Sequence, residues 1–144
     1  MVEQDTIKLL RECDAGVKMG IKSIGDVLNS VKSKELREIM EKCKRDHESL
    51  SADIESLLSK YHDDGKNPNP IATGMSWMKT NFKIAMKHSD ATVADLMTDG
   101  CNMGVKSLSK YLNEYKAADE ASKDIAKKLI NLEEKLAFDI REYL

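Results

Sequence analysis

The sequence predicts an all-α protein, a four-helix bundle folded as a single domain over residues 1–144. Three observations point there. Apolar residues recur at alternating intervals of three and four along four long stretches, the spacing of helices that bury one face. Only 5% of residues are aromatic and two are proline, a composition that favours helices over a β-rich fold. And the chain writes nearly the same six residues twice, MGIKSI at 19–24 and MGVKSL at 103–108, 84 positions apart.

The first helix carries Leu10, Val17, Ile21, Ile24, Leu28 and Val31 in phase, with Asp14 filling one apolar slot. The second carries Leu36, Met40, Cys43, Leu50, Ile54, Leu57 and Tyr61, with His47 in the polar slot. Together they form a hairpin over residues 3–62. DDGKNPNP at 63–70 ends it with one Gly and two Pro, the clearest break in the chain. A shorter helix follows over 71–87, with Trp77, Met78, Phe82 and Met86 as its apolar positions, and HSD at 88–90 supplies a stop and an N-cap. The third helix runs from about 91 to 116 with Cys101, Val105, Leu108, Leu112 and Tyr115 in phase. The fourth runs from about 120 to the C-terminus with Ile125, Leu129, Leu132, Leu136, Ile140 and Tyr143. Each long helix holds roughly 25 residues, or about 38 Å at 1.5 Å per residue, and rods of matched length pack as a bundle.

Short turns at 31–33 and 116–118 force antiparallel neighbours within each hairpin. The crossover at 63–90 is long enough to run the length of the bundle, so the second and third helices are parallel. That is an up-down-down-up order, the ferritin-like arrangement, with an extra short helix in the crossover. The repeat agrees with it. Six of thirteen positions are identical between 16–28 and 100–112, and HESLSADIESLL at 47–58 shares five of twelve with EEKLAFDIREYL at 133–144. The repeating unit is the helical hairpin, and the offsets of 84 and 86 predict a slightly longer second turn. Gly16 and Gly20, like Gly100 and Gly104, form GxxxG pairs inside helices, each Gly costing about 1 kcal/mol against Ala. They predict a close crossing of the first and third helices; a homodimer face is the other use of such pairs.

Asp14 and His47 fall in core slots at similar depth in adjacent helices, which is how a di-iron or di-manganese site begins. Such a site needs four carboxylates and two histidines, with Glu-x-x-His on two helices. Here the residue three before His47 is Lys44, Glu133 stands where the second His belongs, Ile130 where its Glu belongs, and Thr98 is the counterpart of Asp14. Glu12 and Asp99 are out of phase. Asp14, His47 and Glu133 remain as weak metal candidates. The simplest expectation is that Asp14 and His47 satisfy each other by a hydrogen bond; a single metal on a partial ligand set, or water-filled polarity, are the alternatives.

With 23 Lys plus Arg against 25 Asp plus Glu, the net charge of −2 excludes a counterion-driven grip on nucleic acid. The isolated cysteines Cys13, Cys43 and Cys101 fit a reducing cytoplasm. No signal-peptide pattern opens the sequence and no run of 18 apolar residues occurs, so a cytoplasmic protein without membrane insertion is expected. SWMKTNFKIAMKH interleaves apolar anchors with Lys79, Lys83 and Lys87, a pattern for a membrane surface or an acidic partner, but more simply a crossover helix packing Trp77 and Phe82 on the bundle. Met19 and Met103 lie off the core stripe and call for cover by that helix or by a partner. No Ser/His/Asp or Cys/His nucleophile arrangement and no phosphate-cradling Gly loop is visible.

GCNMGVKSLSKYLNEY and LINLEEKLAFDIREYL give the chain its resemblance to uncharacterised bacterial ferritin-like four-helix-bundle proteins. EKCKRDHESL also resembles the Glu-x-x-His helix of ferritins and rubrerythrins. The resemblance implies the fold over essentially the whole chain; relatives with intact sites oxidise iron or reduce peroxide, and Lys44 and Glu133 argue against carrying that chemistry over. The expectation is a non-catalytic bundle without a cofactor, an interaction or stress-related structural protein that dimerises through an apolar outer face. The alternative is a metal-handling protein, binding iron, manganese or zinc, with a reduced site at Asp14, His47 and Glu133.

Overall fold

The computed structural model describes residues 3–66 and 89–144. Among them lie four long helices and no strand: α1 (Gln4–Leu28), α2 (Lys34–Lys60), α3 (Asp90–Glu114) and α4 (Glu120–Asp139), with a 3-10 turn at Arg141–Tyr143. The all-α prediction and the four long helices hold. The shorter helix predicted over 71–87 lies outside the described residues, as does most of the crossover.

Helix starts are capped by the residue types that suit the task. Ser33, Ser89 and Asp119 each accept a hydrogen bond from the backbone N–H three residues on, at Leu36, Thr92 and Ser122. The end of α2 is a left-handed cap: His62 N–H bonds the Ser59 carbonyl and Asp63 N–H the Leu58 carbonyl, with His62 at φ 57°. The fourth helix stops short of the predicted C-terminus. Ile140 N–H reaches back to Leu136 and Phe138, and the chain tightens into the 3-10 turn. That turn lets Ile140 stay fully buried while Phe138 and Leu144 are 63% and 59% exposed.

Cross-links at the two ends fix the helix directions. At one end, the Asp5 carboxylate accepts from Ala117 N–H, Thr6 Oγ1 accepts from Asp119 N–H, and Tyr61 donates to Asp119. The start of α1, the end of α2 and the turn from α3 to α4 therefore meet there. At the other end, the Asp90 carboxylate accepts from Lys32 N–H at 2.7 Å and Ser33 N–H at 3.0 Å, so α3 begins where α2 begins. Accordingly α1 and α4 run one way, and α2 and α3 the other. Besides the pairings within each hairpin, α2 packs on α4, and α1 packs on both α3 and α4.

Both hairpin connections hold five residues, 29–33 and 115–119, so the second turn is not the longer one. The two residues that separate the repeat offsets fall instead at the end of α3, which runs on past Leu112 to Glu114, whereas α1 stops at Leu28.

The core is in two parts. One gathers Leu9, Leu10, Val17, Ile54, Ala126 and Leu129 toward the Asp5–Asp119 end. The other gathers Ile24, Leu36, Met40, Val93, Leu136 and Ile140 toward the Asp90 end. Each buried Leu or Ile contributes about 1.5–3 kcal/mol relative to exposure. Between the two parts, every helix supplies a residue that is not a large apolar one: Gly20, His47, Gly104 and Glu133. Met19 packs against the second part of the core, while Met103 is 43% exposed.

Candidate functional site

His47 and Glu133 each stand thirteen residues after the first residue of their helix, Lys34 and Glu120. Because α2 packs on α4, the two side chains meet inside the bundle. His47 Nε2 lies 2.9 Å from Glu133 Oε1, and His47 Nδ1 lies 2.8 Å from the Cys43 carbonyl oxygen. His47 is fully buried and Glu133 is 9% exposed.

The carbonyl can only accept, so Nδ1 carries a proton; Nε2 donates the second to Glu133. Burial works against the imidazolium, but hydrogen bonds to Cys43 and Glu133 and the Glu133 charge outweigh it, and the His47 pKa rises to about 10. At neutral pH the site is an imidazolium–carboxylate pair in an apolar surround.

Glycine is what admits it. A Cβ on Gly20 would sit 2.7 Å from His47 Cδ2 and 2.8 Å from Nε2, closer than real Cβ atoms come. A Cβ on Gly104 would meet Glu133 at 3.5 Å and one on Gly16 would meet Leu129 at 3.6 Å, both ordinary contacts. The space these three glycines open is thus taken by side chains of α2 and α4, and not by the backbone of the opposing helix as the GxxxG spacing suggested. Gly100 is half-buried.

Asp14 is not the partner of His47. It precedes Gly20 by six residues, about 9 Å along α1 at 1.5 Å per residue, and its carboxylate is engaged elsewhere. Oδ2 accepts from Lys18 Nζ at 2.8 Å and from Lys66 N–H at 3.0 Å, while Oδ1 is buried with no hydrogen-bond partner. Gly65, at φ +80°, brings the chain so close that a Cβ there would collide with the Asp14 carboxylate. Around it, Lys66 pairs with Glu12 and Arg11 with Asp63. Arg11 holds the Asp63 carboxyl below its usual range. Hence Asp14, His47 and Glu133 do not converge, and among the described residues no group of three or more His, Cys, Asp or Glu side chains is arranged to hold a metal.

Two cysteines border the pair, and the sequence pattern had read both as apolar stripe. Cys43 Sγ is 3.5 Å from His47 Nδ1, one helical turn away on the same face of α2. The CKRDH segment at 43–47 spells that i, i+4 spacing, so a Cys/His pair was legible. Cys101 of α3 hydrogen-bonds to Glu133, and burial together with the Glu133 charge pushes its thiol strongly up. Burial and the charges of Glu12 and Asp14 push the Cys13 thiol up to about 12. All three cysteines are free and buried.

Among the described residues no helix is long and apolar enough to cross a membrane. Comparison with known proteins assigns no family: no family model, curated protein or solved structure matches the chain.

Proposed function

We propose that this is a ferritin-like bundle, built from a duplicated helical hairpin, in which an ion pair occupies the place of a di-metal centre. On this reading it is a non-catalytic, cytoplasmic structural or interaction protein. One observation carries the reading: both ring nitrogens of His47 are committed, to Glu133 Oε1 and to the Cys43 carbonyl. An imidazolium has no lone pair to offer a metal, and its carboxylate partner is already neutralised. The matching positions of His47 and Glu133 within their helices, the opposed directions of α1 and α2, and the parallel run of α2 and α3 support the ferritin-like and duplication parts of the proposal. The half-exposed Met103 and the exposed Phe138 and Leu144 are the apolar residues a homodimer face would use.

Metal analysis of protein purified without chelator tests it. The expected result is iron, manganese and zinc far below one equivalent, with His47→Leu/Glu133→Leu still helical and at least as stable as the parent, as is common when a buried ion pair is replaced whole by apolar residues. One equivalent of metal that disappears in His47→Ala would overturn the proposal in favour of a metal-handling protein.

A further inference from the structure

We propose that Cys43 is a reactive thiol, activated by the His47–Glu133 pair and open to small peroxides through a groove between α2 and α4. The inference rests on the same His47–Glu133 pair as the structural reading above, and thiol trapping and metal content fail separately.

Three side chains line up in order: Cys43 Sγ, 3.5 Å, His47 Nδ1; His47 Nε2, 2.9 Å, Glu133 Oε1. This sets a thiol, a cationic imidazole and a carboxylate that fixes the ring in series. The His47 imidazolium stands against the sulfur, and a cation beside a thiol is the setting in which cysteines react. The other two thiols have acidic neighbours instead. Cys13 lies beside Glu12 and Asp14, and Cys101 beside Glu133, and burial together with those charges pushes both thiols up.

Access distinguishes Cys43 as well. It retains 8% exposure, against 0% and 1% for Cys13 and Cys101. It lines a groove of about 180 Å³ with Ile39, Leu132 and Leu136 as apolar walls and Lys42 and Lys135 at the edge. A water molecule takes about 30 Å³ in the liquid, so a hydrogen peroxide molecule fits. Lys42 is paired with Asp46 at 3.0 Å and Lys135 with Asp139 at 2.7 Å, which leaves the mouth charge-balanced and suited to a small neutral molecule.

The step balances with the peroxide as sole oxidant. The thiol proton passes to water in the groove, and the sulfur attacks one peroxide oxygen. The S–O bond forms as the O–O bond breaks, and the departing hydroxide takes a proton from water. Net, Cys43–SH and H2O2 give Cys43–SOH and H2O; sulfur loses two electrons and the peroxide gains them. The sulfenic acid places an oxygen against the ion pair, so oxidation is felt where α2 meets α4.

The test is hydrogen peroxide with dimedone as sulfenic-acid trap, applied to the full folded chain and mapped by peptide mass spectrometry. Cys43 should be trapped at least about tenfold faster than Cys13 or Cys101, and the preference should vanish in urea. Glu133→Gln, verified as folded by circular dichroism, should slow trapping at Cys43 and leave Cys13, which has no contact with Glu133, unchanged. Equal trapping of all three thiols in the folded chain overturns the proposal, as does a folded Glu133→Gln variant with an undiminished Cys43 rate. Should that variant not fold, the parent's ratio of Cys43 to Cys13 and Cys101 decides alone.

Discussion

Replacing the glycines of the bundle by alanine, one at a time, separates two effects of opposite sign. In a helix interior Ala is favoured over Gly by about 1 kcal/mol. At Gly16 and Gly104 the added methyl meets its neighbours at 3.6 and 3.5 Å, so the propensity gain is kept. At Gly20 the methyl would stand 2.7–2.8 Å from the His47 ring, and the ring is wedged between α1 and Glu133 with nowhere near to go. Displacing it breaks a buried ion pair and leaves the carboxylate unpaired, which costs about 3–5 kcal/mol. Set against the propensity gain, Gly20→Ala comes out destabilised by roughly 2–4 kcal/mol. Urea unfolding followed by circular dichroism measures all three. With an m-value of about 2 kcal/mol/M, Gly16→Ala and Gly104→Ala should move the midpoint up by about 0.5 M and Gly20→Ala down by about 1–2 M. A Gly20→Ala variant as stable as the parent would refute the packing of His47 against α1, and with it the account of why a glycine stands there.

Two other outcomes follow from the same structure. The His47 pKa is raised from its ordinary value of 6.5 to about 10, so the pair's contribution is complete below pH 6.5 and lost as pH climbs through about 10; it is on the order of a few kcal/mol. Stability measured across that range should fall in the parent and stay flatter in Glu133→Gln, and parallel curves would exclude the ion pair as the cause. At the end of α2, His62→Gly removes a side chain held at φ 57° and should raise stability by about 1 kcal/mol in the same urea assay; a loss would show that the imidazole contributes more than the strain it carries.

Helix identity was legible because each stretch repeats its apolar residues at a single period, and caps such as Ser89 sit where the pattern breaks. The partner of His47 was not. Spacing gives the face and depth of a residue on its own helix, but not how far neighbouring helices rotate or slide past one another. Asp14 and His47 both faced inward at similar counts from the first turn, yet α4 supplies the carboxylate and Asp14 turns to Lys18 and the Lys66 backbone. The alignment of the hairpins held the better clue, since it sets Glu133 opposite His47 in register. Cys43 and Cys101 were hidden for another reason. Each occupies a position where any apolar residue would continue the stripe, so periodicity could not mark them; only the i, i+4 spacing from Cys43 to His47 carried a signal.

The central pair also acts as a sorting rule for assembly. The first hairpin brings only the cation and the second only the anion, at the same height in the bundle. Two first hairpins brought together would oppose histidine to histidine, and two second hairpins glutamate to glutamate, each burying like charges or unpaired ones. A first hairpin on a second brings the two charges together in the polar centre. The bundle therefore carries, in two residues, a complementarity that tells its two hairpins apart.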